Sequence, residues 1–107
     1  MIGNVVKVIV DRPLGSVHPK HEDIVYPVNY GYIPGVIAPD GEEQDAYILG
    51  IRHPLQEFVG KVIAIIHRLD DVEDKWVVVP ESVSFTADEI MAQVAFQEQY
   101  FQTEIRM

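Results

Sequence analysis

The sequence predicts a mainly β protein with one C-terminal helix, built as a small five-stranded Greek-key barrel of the OB type. Three observations carry that expectation. Short β-branched and aromatic runs recur at close intervals. Clusters of Gly, Pro, Asn and Asp separate them. The last apolar segment has helical spacing and follows a capping pair, Thr86 with Glu89. Roughly five strands and a terminal helix suit such a barrel, although periodicity alone leaves a sandwich or an α+β roll open. A length of 107 residues supports one domain, residues 1–107, with a modest core.

The first strand is predicted over Val5–Val10, β-branched except at Lys7, and Asp11-Arg12-Pro13 ends it. Residues Leu14 to Glu22 read as an irregular connection rich in Gly, Pro and His. Ile24, Tyr26 and Val28 alternate like a half-buried strand, which Pro27 confines to an edge or leaves as extended loop. Gly31, Gly35 and Pro39-Asp40-Gly41 punctuate the next stretch. Ala46–Ile51 is predicted as a short strand that starts directly after Asp45, and Arg52–Gly60 as a loop. Val62–Ile66 reads as the central strand and Trp76–Val79 as the next, closed by Pro80. After the Thr86 cap, Ile90, Met91, Val94, Ala95 and Phe101 recur at helical spacing to give an inward face.

Composition narrows the function classes. With 48% apolar residues the chain lies far from the disordered class, and with no cysteine it offers neither disulfide nor thiolate chemistry. A formal charge of −9 repels both a nucleic-acid backbone and an anionic membrane, so cations are the natural partners. No apolar run approaches the roughly 18 residues that span a bilayer, and the start lacks the pattern of a secretory leader. The expected setting is therefore cytoplasmic.

The informative stretch runs from Tyr26 to Asp45. It places Tyr26-Pro27-Val28-Asn29-Tyr30-Gly31-Tyr32 ahead of Asp40-Gly41-Glu42-Glu43-Gln44-Asp45. Three tyrosines close to a proline make a rigid, partly apolar wall. The carboxylates that follow repel one another unless a cation neutralises them, and magnesium suits such hard oxygen donors and brings phosphate oxygens with it. A solvated acidic turn uses the same residues, since turns recruit Asp and Gly. An EF-hand is excluded: counted from Asp40, the positions that need Gly and Glu hold Asp45 and Ile51. Asp70, Asp71, Glu73, Asp74 and Lys75 form a second charged group, which as a bland alternative is a hairpin turn. The four histidines have no soft-metal spacing.

The two motifs together resemble the signature of the soluble, magnesium-dependent inorganic pyrophosphatases: Asp, a small residue, Asp, Pro or Glu, an apolar residue, Asp. Glu42 stands where Asp is usual and Gln44 where an apolar residue is usual. The resemblance implies the same barrel, a homo-oligomer, Mg2+ as cofactor and a small phosphate substrate. It implies that Asp40, Asp45, Asp70 and either Glu73 or Asp74 ligate metal, and that Glu42 with Asp45 serves the attacking water. Lys75, Lys20, Tyr26, Tyr30 and Tyr100 would contact substrate. Asp11 and Pro13 match the close of the family's first strand. The pattern's arginine-bearing hairpin before Tyr26 is missing, and Phe101 replaces the lysine expected after Tyr100. The function implied is hydrolysis of pyrophosphate to two phosphates by metal-activated water with a carboxylate base. The alternatives are hydrolysis of another phosphoanhydride or phosphoester, a metal- or phosphate-binding barrel with weakened turnover, and an assembly module whose acids are solubilising.

Overall fold

The computed structural model describes residues 1–71 and 73–107. Six strands and one helix follow in the order β1 (Val5–Arg12), β2 (Asn29–Ile37), β3 (Glu43–Ile48), β4 (Glu57–Arg68), β5 (Asp74–Val79), α1 (Ala87–Glu98) and β6 (Thr103–Arg106). The strand order is β1-β2-β3-β5-β4-β6, and an added β1–β4 pairing closes the first five strands into a barrel. β3 and β5 run parallel, while every other named pairing is antiparallel. The predicted five-stranded barrel with one helix is thus the observed fold, and β6 is an addition along the far half of β4.

Closure depends on the length of β4. Its first residues pair with β1, from Ile9↔Glu57 to Val5↔Lys61, and its last with β6, from Ile65↔Arg106 to Arg68↔Thr103. The strand therefore begins at Glu57, inside the segment expected to be a loop. β2 also departs from expectation: the ladder starts at Asn29 and runs through Gly31, whereas Ile24–Val28 holds only an isolated Val17↔Val25 bridge. Pro34, with no N–H to give, falls in the irregular register between Ile33 and Ile37, where the ladder asks none of it.

Gly31 sits where β2 passes close against β1. A Cβ there would lie 1.9 Å from the Ile9 carbonyl oxygen, so only glycine fits between the two tyrosines of the motif. Asn29 beside it is fully buried, and its side chain accepts from the N–H groups of Leu14 and Leu55 and donates to the His53 carbonyl. One amide thus anchors two loops that have no ladder of their own.

The apolar run in β3 is buried on both faces. Tyr47 and Leu49 join a cluster with Tyr26, Tyr30, Ala64, Ile66, Val77 and the helix residues Ile90 and Val94. Ala46 and Ile48 join Val8, Ile33, Val62 and Val78 in a second cluster. This explains why the strand reads as continuously apolar and not as alternating. The helix starts as predicted, with Thr86 accepting from the Glu89 N–H and Glu89 accepting from the Thr86 N–H. It ends at Glu98, short of Phe101, and the chain turns into β6.

A methyl group at Gly31 has no room without parting β1 from β2. Gly31→Ala is expected to lower stability by about 1–3 kcal/mol, read as a fall of several degrees in melting temperature. An unchanged melting temperature would show that the strands tolerate separation there.

Candidate functional site

Strand register assembles the charged groups. In the parallel pair, Ala46 lies opposite Trp76 and Tyr47 opposite Val77. One step back along both strands, Asp45 and Lys75 stand side by side, and the Lys75 Nζ reaches Asp45 Oδ2 at 2.6 Å. Tyr30 is paired with Tyr47, which makes it a diagonal neighbour of Asp45 across β2 and β3. Its hydroxyl donates to the same Oδ2 at 2.9 Å. Lys75 also contacts Glu73 Oε2 at 3.1 Å, and Arg68 Nη1 donates to that oxygen at 2.9 Å. Asp45, Lys75, Glu73 and Arg68 thus form one chain of alternating charge.

Gln44 explains a departure from the motif. Its side chain is buried and donates to the Asp74 carbonyl at 2.7 Å, joining β3 to the start of β5. That bond holds Asp45 and Lys75 in step, a task an apolar residue could not perform.

Arg12 comes from a different edge. β1 carries a register shift between Val10 and Arg12, which places Arg12 opposite Tyr30 with its guanidinium carbon 5.7 Å from the ring centre. Arg12 Nη1 donates to the Tyr26 hydroxyl at 2.7 Å. Burial opposes its charge, but the Tyr26 hydrogen bond helps to outweigh this and raises its pKa. Asp11, in the shifted register, has its carboxyl pKa raised, first by desolvation, with Arg12 opposing and the charge of Asp45 adding; the residue as a whole is exposed, so solvent discounts the effect.

The last turn of α1 braces the opposite wall. Glu98, fully buried, accepts from Arg68 Nε at 3.0 Å and Nη2 at 2.8 Å, and from the Tyr47 hydroxyl at 2.6 Å. Burial works against the Arg68 charge, while the bonds and charge of Glu98 exceed it and hold the guanidinium protonated. Gln97 donates to Tyr47 and accepts from Tyr26. Phe101 lies against Arg68, whose guanidinium carbon is 3.7 Å from the ring centre.

These groups open on a cleft of about 520 Å³. Arg12, Tyr30, Asp45, Arg68, Glu73 and Lys75 line its floor and walls, joined by Gln97, Tyr100 and Phe101 from the helix end. The irregular connection contributes His18, His21, Asp23 and Ile24. His18 has a lowered pKa, through partial burial first and then the charge of Arg12, which favours the neutral ring near neutrality.

Of the residues marked by sequence, the cleft brings together Asp45, Tyr30, Glu73, Lys75 and Tyr100. Asp40 and Glu42 lie outside it on the exposed β2–β3 turn, where Asp40 Oδ1 accepts from the Glu42 N–H in a local turn bond. Asp70, also exposed, accepts from the Gln102 N–H. Asp74 faces His67 at 2.6 Å, as their cross-strand pairing dictates, so Glu73 and not Asp74 enters the cleft. Tyr26 is fully buried with its hydroxyl spent on Arg12 and Gln97, and Lys20 is exposed in the loop. Sequence reasoning missed Arg12, Arg68, Gln97 and Glu98. The one local signal was the polar Gln97-Glu98 step ending an otherwise apolar-spaced helix.

Among the described residues, no group of three or more His, Asp or Glu comes close enough together to hold a metal ion unaided. Magnesium commonly takes one or two carboxylates and completes its shell with water and substrate phosphate oxygens. Asp45 and Glu73, which already share one cation in the Lys75 ammonium, fit that kind of site.

Fold and cleft together define an OB-type barrel carrying a mixed-charge site suited to a small polyanion. The profile of the inorganic pyrophosphatase family matches residues 4–105, and the chain belongs to that family, which places it among the diphosphatase hydrolases. The family's general use of a divalent metal comes with that membership. No curated protein gives a match. Among solved structures, the inorganic pyrophosphatase from Ehrlichia chaffeensis is similar in fold, with a TM-score of 0.72 and 18% identity over 97% of this chain and 85% of that one. The inorganic pyrophosphatase from Coxiella burnetii aligns with a TM-score of 0.69 and 17% identity, over 99% of this chain and 86% of that one. That from Neisseria gonorrhoeae aligns at 0.66 and 23%, over 92% and 74%.

Tyr30 and Tyr47 have pKa values raised well above 10.0, by burial first and then by the charges of Asp45 and Glu98 respectively. Above pH 10.0 the unfolded chain therefore loses phenolic protons that the folded one keeps, and stability falls as pH rises. Spectrophotometric titration, with Tyr30→Phe and Tyr47→Phe to identify their contributions, is expected to show these two phenols unionised above pH 10.0 until the fold is lost. Ionisation of either at the ordinary tyrosine value in folded protein would contradict this burial.

Proposed function

We propose that the cleft binds inorganic pyrophosphate with Mg2+ and hydrolyses it to two phosphates. Family membership across residues 4–105 is the observation that carries the reading. Lys75, Arg12 and Arg68 would hold phosphate oxygens, and Tyr30 would keep the Asp45 carboxylate pointed into the cleft. Asp45 would accept a proton from the attacking water, taking the role that the motif gives Glu42, whose turn lies outside the cleft. Asp45 and Glu73 would hold magnesium together with substrate oxygens. The bound ion would neutralise charge and lower the pKa of water. Every other role falls to the side chains: Lys75 and the arginines offset negative charge on the reacting and leaving phosphates.

A second reading follows from the charge pairing. Lys75 is shared by two carboxylates and Arg68 by Glu98 and Glu73, so the cleft could bind diphosphate with weak turnover. The homo-oligomer and the cytoplasmic setting belong to the same proposal. β6 ends the sheet order and leaves one backbone edge at which copies could join.

Phosphate release from pyrophosphate, with magnesium and with chelator, separates these readings. Magnesium-dependent release is expected, and Asp45→Asn is expected to lower kcat/KM by about 10²–10⁴-fold, the usual weight of a general base. Parent rates equal to those of Asp45→Asn would sink hydrolysis. Calorimetric binding of pyrophosphate without release would select the second reading.

A further inference from the structure

We propose that Arg12 and Arg68 form a paired anion clamp for adjacent phosphate groups of one phosphoanhydride, and that the consecutive helix residues Gln97 and Glu98 position both. The clamp rests on the reading of the cleft as a phosphate site and adds to it the pairing of the two arginines and the helix residues that set it. The two arginines stand at the ends of β1 and β4, and both line the cleft.

Each guanidinium is held from behind by α1. Arg12 Nη1 donates to the Tyr26 hydroxyl at 2.7 Å, and that hydroxyl donates to Gln97 Oε1 at 3.0 Å. Arg68 is gripped by both oxygens of Glu98. Gln97 and Glu98 are in turn linked through Tyr47, which accepts from the one and donates to the other. One unbroken path, Arg12–Tyr26–Gln97–Tyr47–Glu98–Arg68, therefore sets the arginines relative to each other. Aromatic faces restrict them further, Tyr26 and Tyr30 for Arg12 and Phe101 for Arg68.

Donor arithmetic leaves capacity for a ligand. A guanidinium has five N–H groups in a rigid fork. The bonds of Arg68 to Glu98 and Glu73 engage one hydrogen on each of its three nitrogens. Among the described residues, a second hydrogen on each of Nη1 and Nη2 has no bond to the protein. Arg12 donates to a neutral phenol and, among the described residues, forms no ion pair, the neighbouring Asp11 carboxylate acting on it only through its field, so its charge is available to an anion. Lys75, like Arg68, lies between two carboxylates, but it presents a compact point charge and no planar fork. A planar fork matches phosphate oxygens in a bidentate manner that an ammonium cannot. Phe101, where the motif has lysine, is then the surface against which Arg68 supplies the missing cation.

The test follows the arginine Nε–H signals by 15N NMR while sodium pyrophosphate is added without divalent metal. Arg12→Lys and Arg68→Lys identify the signals. Both are expected to move along one saturation curve. Arg12→Met is expected to weaken binding at least tenfold. Arg68→Met is made together with Glu98→Gln so that no buried charge is left alone, and the same weakening is expected. Glu98→Gln alone keeps the Tyr47 contact but is expected to abolish the Arg68 response and, in steady-state assays with magnesium, to raise KM more than it lowers kcat. Lys7→Met, at an exposed pair with Glu57, is the control for lost charge and should bind as the parent does. Saturable binding that leaves either arginine signal still, or that survives both arginine variants, would overturn the clamp while sparing the phosphate cleft. No saturable binding by the parent would overturn both.

Discussion

Arg68 and Glu98 are both withdrawn from water, at 4% and 1% exposure, and neither could be there alone. A buried charge without a partner costs several kcal/mol, and the attraction between partners offsets this only when geometry is good and the remaining valences are met. Here both carboxylate oxygens face the guanidinium and the Tyr47 hydroxyl adds a third donor. The pair can form only after the last turn of α1 has docked on the end of β4. Helix docking, the tyrosine cluster and the cleft wall are therefore conditions of one another. The three cations of the cleft take their positions from this arrangement or from the β3–β5 register next to it.

That arrangement also settles how a protein of net charge −9 can offer a place to an anion. At long range the molecule repels anions, and only at short range does a local cation prevail, because attraction between adjacent groups exceeds a field screened over about 8–10 Å. Three of the 8 Lys and Arg residues face one cleft. Within it they alternate with Asp45 and Glu73, so a phosphate oxygen arriving at Lys75 or Arg68 exchanges with a carboxylate and need not meet an uncompensated charge. The carboxylates so released are the ones that fit a divalent cation. In the proposed function, phosphate binding and cation binding would be coupled through the same two side chains.

Much of this architecture was legible in local sequence. The capping pair Thr86 and Glu89 announced the helix because its hydrogen bonds span three residues, and the apolar runs of β3 and β5 announced buried strands. β2 was harder. Gly31 and Gly35 read as turn signals, yet Gly31 is required by the close passage of β1, a contact across 22 positions. β6 has four residues of mixed polarity and exists because β4 offers it an edge. The acids divide along the same line. Asp40 and Glu42 occupy motif positions by sequence but close their own turn, whereas Asp45 reaches the cleft because a strand register carries it there.

The same reasoning accounts for the residues that sequence passed over. Arg68 and Glu98 are 30 positions apart, and Arg12 and Gln97 meet only through the hydroxyl of Tyr26. No local pattern records such a pairing, since its physical content is exclusion of water by a tertiary contact. What the sequence does contain is an irregularity: Gln97 and Glu98 interrupt the inward face of a helix, at the place where an apolar residue would pack most simply. A polar side chain on a buried face needs a partner supplied from elsewhere. Here Glu98 finds Arg68, and Gln97 finds the hydroxyls of Tyr26 and Tyr47, the first of which also holds Arg12, so the helix that covers the barrel is bonded to the cations that border the cleft.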